Sequence, residues 1–502
     1  MKRLFFLFCC LFLSFSTFAT KKPLRWAADA ESGAPFVFYN PENLSEMMGF
    51  EYDIVQALAK EMDREAVFVQ NSWEGLVPGL QTGQYDIIIN GIEVTEDRKQ
   101  VILFSEPYFV TYEQIVVRKE TDGIETLADM KGKKVGTLRS SLAERMLRLE
   151  GDIEILGYEA ETNAYSDLKL RRSDAVLLDA PIAQYYARPD ADLKMVGAPI
   201  GQIIYGIGVS KENRALLKEI NLALKAIIKN GTLREIYDRW NLWNPPMASL
   251  FNDYAPTRVP PTQYDFFLQH SGKSRSWKEK LDLYISFIPI MSKGALTTLQ
   301  ISLVSMALAV GMGLLLAILR LYGPAPLSIL SVLYIEVVRG TPLLIQLFFI
   351  FYALPHIGIK FSPFVAAILG LGLNYAAYEA ENYRAGIQGI AKGQTEAAAA
   401  LGLGKWQTLR HIIVPQAMRV VLPPITNDFI ALLKDSSLVS VITMVELTKI
   451  YSQLASTYYD FIGTGIMVAL FYLLLGLPFV RLLRYVENRF HAPYGDQTKR
   501  FR

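Results

Sequence analysis

The chain has 502 residues, 51% of them hydrophobic and 20% charged, with a formal net charge of +2 and a mean hydropathy of +0.21. That average is too apolar for one soluble domain and too charged for a pure membrane bundle; it excludes disorder and a disulfide scaffold and gives no support for a nucleic-acid partner. Residues 294–480 hold 18 of the 100 Asp, Glu, Lys and Arg, about 10% of positions against about 26% elsewhere, so a charged half and a sparsely charged half share one chain.

Residues 1–19 read as a secretory signal peptide: Lys2 and Arg3, an apolar run of Phe and Leu, and small residues at Thr17 and Ala19. Both cysteines, Cys9 and Cys10, lie inside it. Cleavage after Ala19 would leave a mature chain without thiols and place the charged half outside the cytoplasm; a retained anchor is the alternative.

From Leu24 to about Leu242, short β-rich runs alternate with helical stretches, which predicts an α/β architecture. Strands are expected at 66–69, 85–89, 134–138, 153–156 and 175–178. Phe50, Ile54, Leu58 and Met62 share one helical face, and 214–228 has the same period.

Three stretches, Gly49 to Glu61, Trp73 to Gly83 and Tyr85 to Arg98, are followed in order by Phe104-Ser-Glu-Pro-Tyr108, Leu127 to Gly136 and Asp174 to Asp179. Together they resemble the polar-amino-acid class of periplasmic solute-binding proteins. The resemblance implies two lobes, 22–115 with 208–243 and 116–207, joined by strands crossing near Glu113–Lys119 and Tyr205–Lys211, that close on one amino acid.

A free amino acid needs a guanidinium or N–H donors for its α-carboxylate and a carboxylate for its α-ammonium, in a cleft dry enough for these charges to matter. Arg98 and Asp179 fit these roles, and the resemblance places Trp73 over the cargo side chain, Asn90 and Gly91 as polar and backbone contacts, and Ser141 as a hydroxyl of the second lobe. Where the family usually has Ser or Thr, this chain has Glu93. Asp29, Glu31 and Glu93 would make an anionic pocket end favouring Lys, Arg, ornithine or His; a salt bridge from Arg139 to Glu93 is the alternative.

Residues 244–293 hold Pro245, Pro246, Pro256, Pro260 and Pro261 before a polar run, and read as a semi-extended tether turning helical around Trp277 to Phe287. Such a tether raises the effective concentration of the exported half at its own membrane half.

Gly294 through Leu319 is 26 uncharged positions and 461–480 another 20, each long enough to span a hydrocarbon core of ~30 Å. Interrupted apolar stretches between them bring the expectation to about five spans over 294–490, ending in a cytoplasmic tail, 491–502. With the first half outside, the inner segments carry Arg320, Lys392, Lys405, Arg410, Arg419, Arg481 and Arg484, and the outer loops only Lys360 and Lys449, in keeping with the positive-inside rule.

Glu396, Ala397, Ala398 and Gly402, with Pro415 beyond, resemble the cytoplasmic EAA loop of bacterial ABC importer permeases, and Arg339-Gly-Thr-Pro-Leu343 resembles the histidine and glutamine class. The loop reads as a short Ala-rich helix that docks on a separate ATPase. Asn374, Tyr378 and Glu381 fall on one helix face at membrane depth and are candidates for a substrate path; an ion pair of Glu381 with Arg384 is the alternative.

No phosphate-binding Gly-x-x-x-x-Gly-Lys-Ser/Thr loop and no His spacing for a metal occur in the sequence. The chain therefore reads as no enzyme and binds no cofactor of its own, with ATP acting through a partner ATPase. The expected assembly is a two-lobe binding domain fused to an all-α permease, two copies together in a bacterial inner membrane, importing polar amino acids, cationic ones if Asp29, Glu31 and Glu93 face the cargo. A ligand-gated channel or sensory receptor is the rival, but no Thr-Val-Gly-Tyr-Gly filter occurs and about twenty residues follow the last span.

Overall fold

The computed structural model describes residues 22–31, 33–43, 46–270, 276–458 and 460–490. The expected signal segment with both cysteines, and the tail 491–502, lie outside them. The chain forms two compact units, Met1–Gly272 and Lys273–Arg502.

The first unit holds twelve described strands: β1 Leu24–Ala28, β2 Phe38–Tyr39, β3 Met47–Met48, β4 Ala66–Gln70, β5 Ile87–Ile88, β6 Ile102–Phe104, β7 Phe109–Arg118, β8 Lys134–Leu138, β9 Glu154–Tyr158, β10 Ala175–Asp179, β11 Leu193–Tyr205 and β12 Gly208–Ser210. They make two five-stranded sheets, ordered β4-β1-β5-β12-β6 and β11-β7-β10-β8-β9, and a small β2-β3 hairpin. Each large sheet is one lobe. Parallel pairs β1/β4, β1/β5, β10/β8 and β8/β9 are connected through helices, as the alternating pattern predicts. The helix Phe50–Glu61 buries Phe50, Ile54 and Leu58 completely, with the Phe50 ring 5.3 Å from Phe109.

The lobes are joined earlier in the chain than expected. β7 already belongs to the second sheet from Phe109, so the crossings fall at 105–108 and 206–207 rather than at Glu113–Lys119. Pro107 cannot donate to a ladder, which separates β6 from β7. Ser105 N–H donates to Ile207 O at 2.9 Å, and Ile207 N–H to Ser105 Oγ at 2.9 Å, so the two crossings brace each other.

The stretch read as a semi-extended tether is largely helical. Pro245–Phe251 and Thr262–His270 are helices that each begin at or just after prolines, whose fixed φ suits a first turn. Met247 and Phe267 are buried in the first unit's core. The third helix starts at Trp277, capped by Ser276 and Glu279 in a reciprocal box, and runs 46 residues to Tyr322.

In the second unit Trp277–Tyr322 packs chiefly on Pro363–Gln388. Two described helices, Trp277–Tyr322 and Phe461–Tyr485, are both long and apolar enough to cross a membrane; the pair Ala325–Gly340 and Leu343–Ile357, bent by 107°, makes up to three. The expectation of about five counts Pro363–Gln388 and Val414–Asp435 as well. These have the length of a span but carry Glu379, Glu381 and Arg384, and Asp428, Lys434 and Asp435. The sharp bend falls at Thr341-Pro342, where proline removes a helical donor and Thr341 is extended.

Candidate functional site

Between the two lobes lies a narrow cleft with a cavity of about 20 Å³. Phe36, Trp73, Leu138, Leu178 and Ile182 form its apolar walls; Asn90, Gly91, Glu93, Ser141, Glu161 and Asp179 are its polar lining. Sequence reasoning named five of these polar residues. It missed Glu161, which stands at the start of the helix Glu161–Lys169, a place where an acid reads as a dipole partner, and is only 3% exposed.

Arg98 is not in this lining but meets its Glu93 from a short helix, Glu96–Val101, whose Thr95 cap accepts from Arg98 N–H at 3.3 Å. Its guanidinium is ion-paired with the Glu93 carboxylate, donates to Glu93 O at 3.1 Å and to Ser140 O at 3.2 Å, and sits 5.4 Å from the Trp73 ring centroid. The other Glu93 oxygen accepts from Leu142 N–H at 3.0 Å. Arg139 instead holds Gly157 O at 3.0 Å and Glu159 at 3.6 Å, so the alternative pairing of Arg139 with Glu93 is not formed. The two lobes are further tied by Trp73 Nε1 donating to Arg139 O at 3.0 Å and by Ala34 N–H donating to Tyr186 OH at 2.8 Å.

Asp29 does not line the cleft. Its carboxylate accepts from Trp73 N–H at 2.9 Å, Gln70 Nε2 at 3.0 Å and Glu31 N–H at 3.0 Å, so it fixes the Trp73 backbone in place of making a pocket end. Asn90 Oδ1 accepts from Asp29 N–H, and Gly91 N–H is taken by the buried Glu51 at 2.7 Å, so that backbone group is closed to a ligand. Gly91 has φ +62°, and an added Cβ would lie 3.0 Å from the Phe36 ring. Ser141 caps the helix Leu142–Glu150 by accepting from Glu144 N–H at 3.1 Å, and donates to Leu138 O at 2.7 Å.

Asp179 ends β10 opposite Glu113 of β7. Burial pushes the Asp179 carboxyl well above the ordinary carboxylate range, with Glu93 repelling in the same sense. Glu113 is raised by burial first, then by Asp179 and Glu93; Glu161 is raised by burial, with Asp29 and Asp179 adding. Among the described residues no donor meets either Glu113 oxygen or Glu161 Oε2. Of the four buried carboxylates Glu93, Glu113, Glu161 and Asp179, only Glu93 is ion-paired with a guanidinium among the described residues, an arrangement that a cation or bound protons must complete.

In the second unit, a cleft of about 520 Å³ is lined by Arg339, Thr341, Pro342, Asn374, Tyr378 and Asp428, with Tyr375 and Asp435 beside them. Asn374 Nδ2 donates to Gln346 at 3.1 Å, Tyr375 OH to Asp435 at 2.7 Å, and the Arg339 guanidinium lies 5.4 Å from the Tyr378 ring. Glu381 is not in this lining. It is ion-paired with Arg384 at 2.7 Å and with Arg320, the paired alternative with one more partner than expected. Asp428 and Asp435, about four and six turns along the helix Val414–Asp435, were not singled out from sequence because their apolar neighbours have no fixed polar period.

The loop at Glu396 is a helix, Lys392–Ala400, ended by Gly402 at φ +79°. Glu396, Ala397 and Gly402 are exposed, and Ala398 is buried against the rest of the unit. Leu401 and Trp406 beside it are 82% and 70% exposed, a large apolar pair flanked by Lys405 and Arg410.

Residues 24–242 match the family described as bacterial extracellular solute-binding proteins, family 3, and residues 309–492 match binding-protein-dependent transport system inner membrane components. The probable amino-acid ABC transporter permease protein YckA of Bacillus subtilis is 42% identical over 190 residues, 38% of this chain and 84% of that protein. The glutamine transport system permease protein GlnP of Escherichia coli K12 is 38% identical over 204 residues, 40% of this chain and 93% of that protein. ABC transporter arginine-binding protein 1 of Escherichia coli K12 is 30% identical over 202 residues, 39% of this chain and 82% of that protein.

Proposed function

Since the chain belongs to the inner-membrane permeases of amino-acid ABC importers, with a family 3 solute-binding domain in the same polypeptide, we propose that its cargo is a cationic amino acid. The observation that carries this is Glu161: buried, lining the cleft beside Asp179, with an oxygen that no donor among the described residues meets. A cargo with two cationic groups satisfies Glu161 and Asp179 together, whereas a neutral amino acid brings one. The similarity to an arginine-binding protein supports the same reading.

In this reading Asp179 takes the α-ammonium, Arg98 the α-carboxylate, and Trp73 covers the aliphatic stem. Cargo released outside the membrane passes along the cleft of Arg339, Asn374, Tyr378 and Asp428, in a homodimer of the membrane half. The binding domain faces the periplasm or the outside. ATP is hydrolysed by a separate ATPase, which docks on the helix Lys392–Ala400 and the exposed Leu401 and Trp406.

Glu396→Lys with Leu401→Asp in the full chain should lower ATP-driven uptake of arginine by about ten-fold or more and abolish co-purification of an ABC ATPase, leaving arginine binding unchanged. Uptake at the wild-type rate in that variant would sink the importer mechanism.

A further inference from the structure

The two donors that an α-carboxylate would need are already occupied by the chain itself. One Glu93 oxygen is on the Arg98 guanidinium of the first lobe, and the other accepts from Leu142 N–H at 3.0 Å, the opening residue of a helix in the second lobe. Glu93 is 2% exposed and lines the cleft. Its carboxylate therefore bridges the lobes as a bound amino acid's carboxylate would, seated on a guanidinium and a helix N-terminus.

We propose that Glu93 is a built-in stand-in for the cargo's α-carboxylate, which latches the empty lobes together and admits only cargo able to compensate it once displaced. The proposal rests on the reading of this cleft as the cargo site. Incoming carboxylate takes over Arg98 and Leu142 N–H. The freed Glu93 then stands in a buried space with Glu161 and Asp179, and among the described residues no unpaired cation faces it: Arg98 is engaged by cargo, and Arg139 is held by Gly157 and Glu159. The cargo's second cationic group, which meets Glu161, is then the charge that compensates Glu93 as well. Neutral cargo leaves Glu93 buried and unpaired, so the latch is also the filter.

Two measurements on the full chain in nanodiscs test this. In the first, Cys9 and Cys10 are replaced by Ser, and spin labels at Gln81→Cys and Leu149→Cys, both exposed, report the distance between lobes without cargo. The parent should show a single short distance, and Glu93→Ser a broad, longer distribution. Identical distributions would overturn the latch whatever the cargo proves to be, leaving the transport reading intact.

In the second, equilibrium binding of arginine, glutamine and agmatine is compared. The wild-type chain should prefer arginine over glutamine by about ten-fold or more, and Glu93→Ser should narrow that ratio by raising glutamine affinity. Glutamine affinity unchanged by Glu93→Ser overturns the filter. Agmatine, which lacks the carboxylate, should bind the wild-type chain more weakly than arginine; equal binding would mean that Glu93 keeps the clamp with cargo present, and overturns the displacement. If none of the three binds either chain, the cationic-amino-acid reading fails and the filter falls with it, while the spin-label distances still decide the latch.

Discussion

Glu51 shows how burial alone sets a residue's pH dependence. It is fully buried, accepts from Gly91 N–H at 2.7 Å and from the Tyr108 hydroxyl, and has one oxygen that no donor among the described residues meets. Burial pushes its pKa from 4.5 up to about 8, against the lowering effect of the Tyr108 and Gly91 hydrogen bonds. An acid raised in the folded state contributes its full stability below its unfolded value and loses it as pH climbs through the folded one. The unfolding temperature of the binding domain, followed by tryptophan fluorescence in the full chain, should therefore fall between about pH 5 and about pH 8.5. Glu51→Gln, which keeps the acceptor and cannot ionise, should reduce that fall by several degrees; an unchanged pH profile would show that Glu51 is not a source of it. At this scale Asn90, Glu93, Ser141 and Asp179 were legible as cleft residues because their motifs fix their places along the chain. What could not be read is which partner each charge chooses. Asp29 turned to the Trp73 backbone and Glu381 to Arg320, partners 44 and 61 positions away that only the fold brings near.

Helices in the membrane half approach one another through glycine. A Cβ at Gly313 would lie 2.6 Å from the Glu379 Cβ and 3.0 Å from the backbone at Ala376 and Ala380; one at Gly294 would meet the Leu447 backbone at 3.2 Å. Small residues let helices pack closely where no hydrophobic drive separates lipid from protein. Gly313→Ala must push Trp277–Tyr322 away from Pro363–Gln388, and should destabilise the membrane half by about 1–3 kcal/mol, read as a lower melting temperature in detergent. A melting temperature within a degree of wild type would mean that this approach is not tight. Elements with a strong period were legible in sequence: 134–138 is β8 to the residue, and 214–228 is the helix Arg214–Lys229 but for one position. The 13-residue β11 was missed because Gly197 and Gly201, at φ +71° and +66°, sit where its register with β7 shifts, and interrupt the two-residue alternation.

On the scale of the whole molecule, the division of charge was legible from composition, and the junction was not. Prolines in 244–261 suggested extended chain, yet two of them open a helix whose Met247 is buried in the binding domain's core. Proline excludes a helix interior but favours its start, and composition does not distinguish the two. Because one chain carries both functions, capture and transport should be independent of protein concentration. A protease site inserted between Gln269 and Trp277, once cut, should leave cargo binding intact but reduce uptake by about ten-fold or more on dilution. Uptake that withstands dilution after cutting would show that the covalent link is dispensable.

The helix Trp277–Tyr322 has a mechanical consequence. Forty-six residues make a rod of about 69 Å, more than twice the hydrocarbon thickness of ~30 Å. It is gripped along most of that length, from Phe287 beside Tyr458 and Gly294 at Leu447 to Gly313 and Ala317, while its first turns carry Lys278, Glu279, Lys280 and Asp282. Held at so many points, such a rod cannot tilt alone: in a close-packed interior, a shift where it meets one neighbour is carried to the others. A rearrangement at one end of the rod thereby reaches its other end.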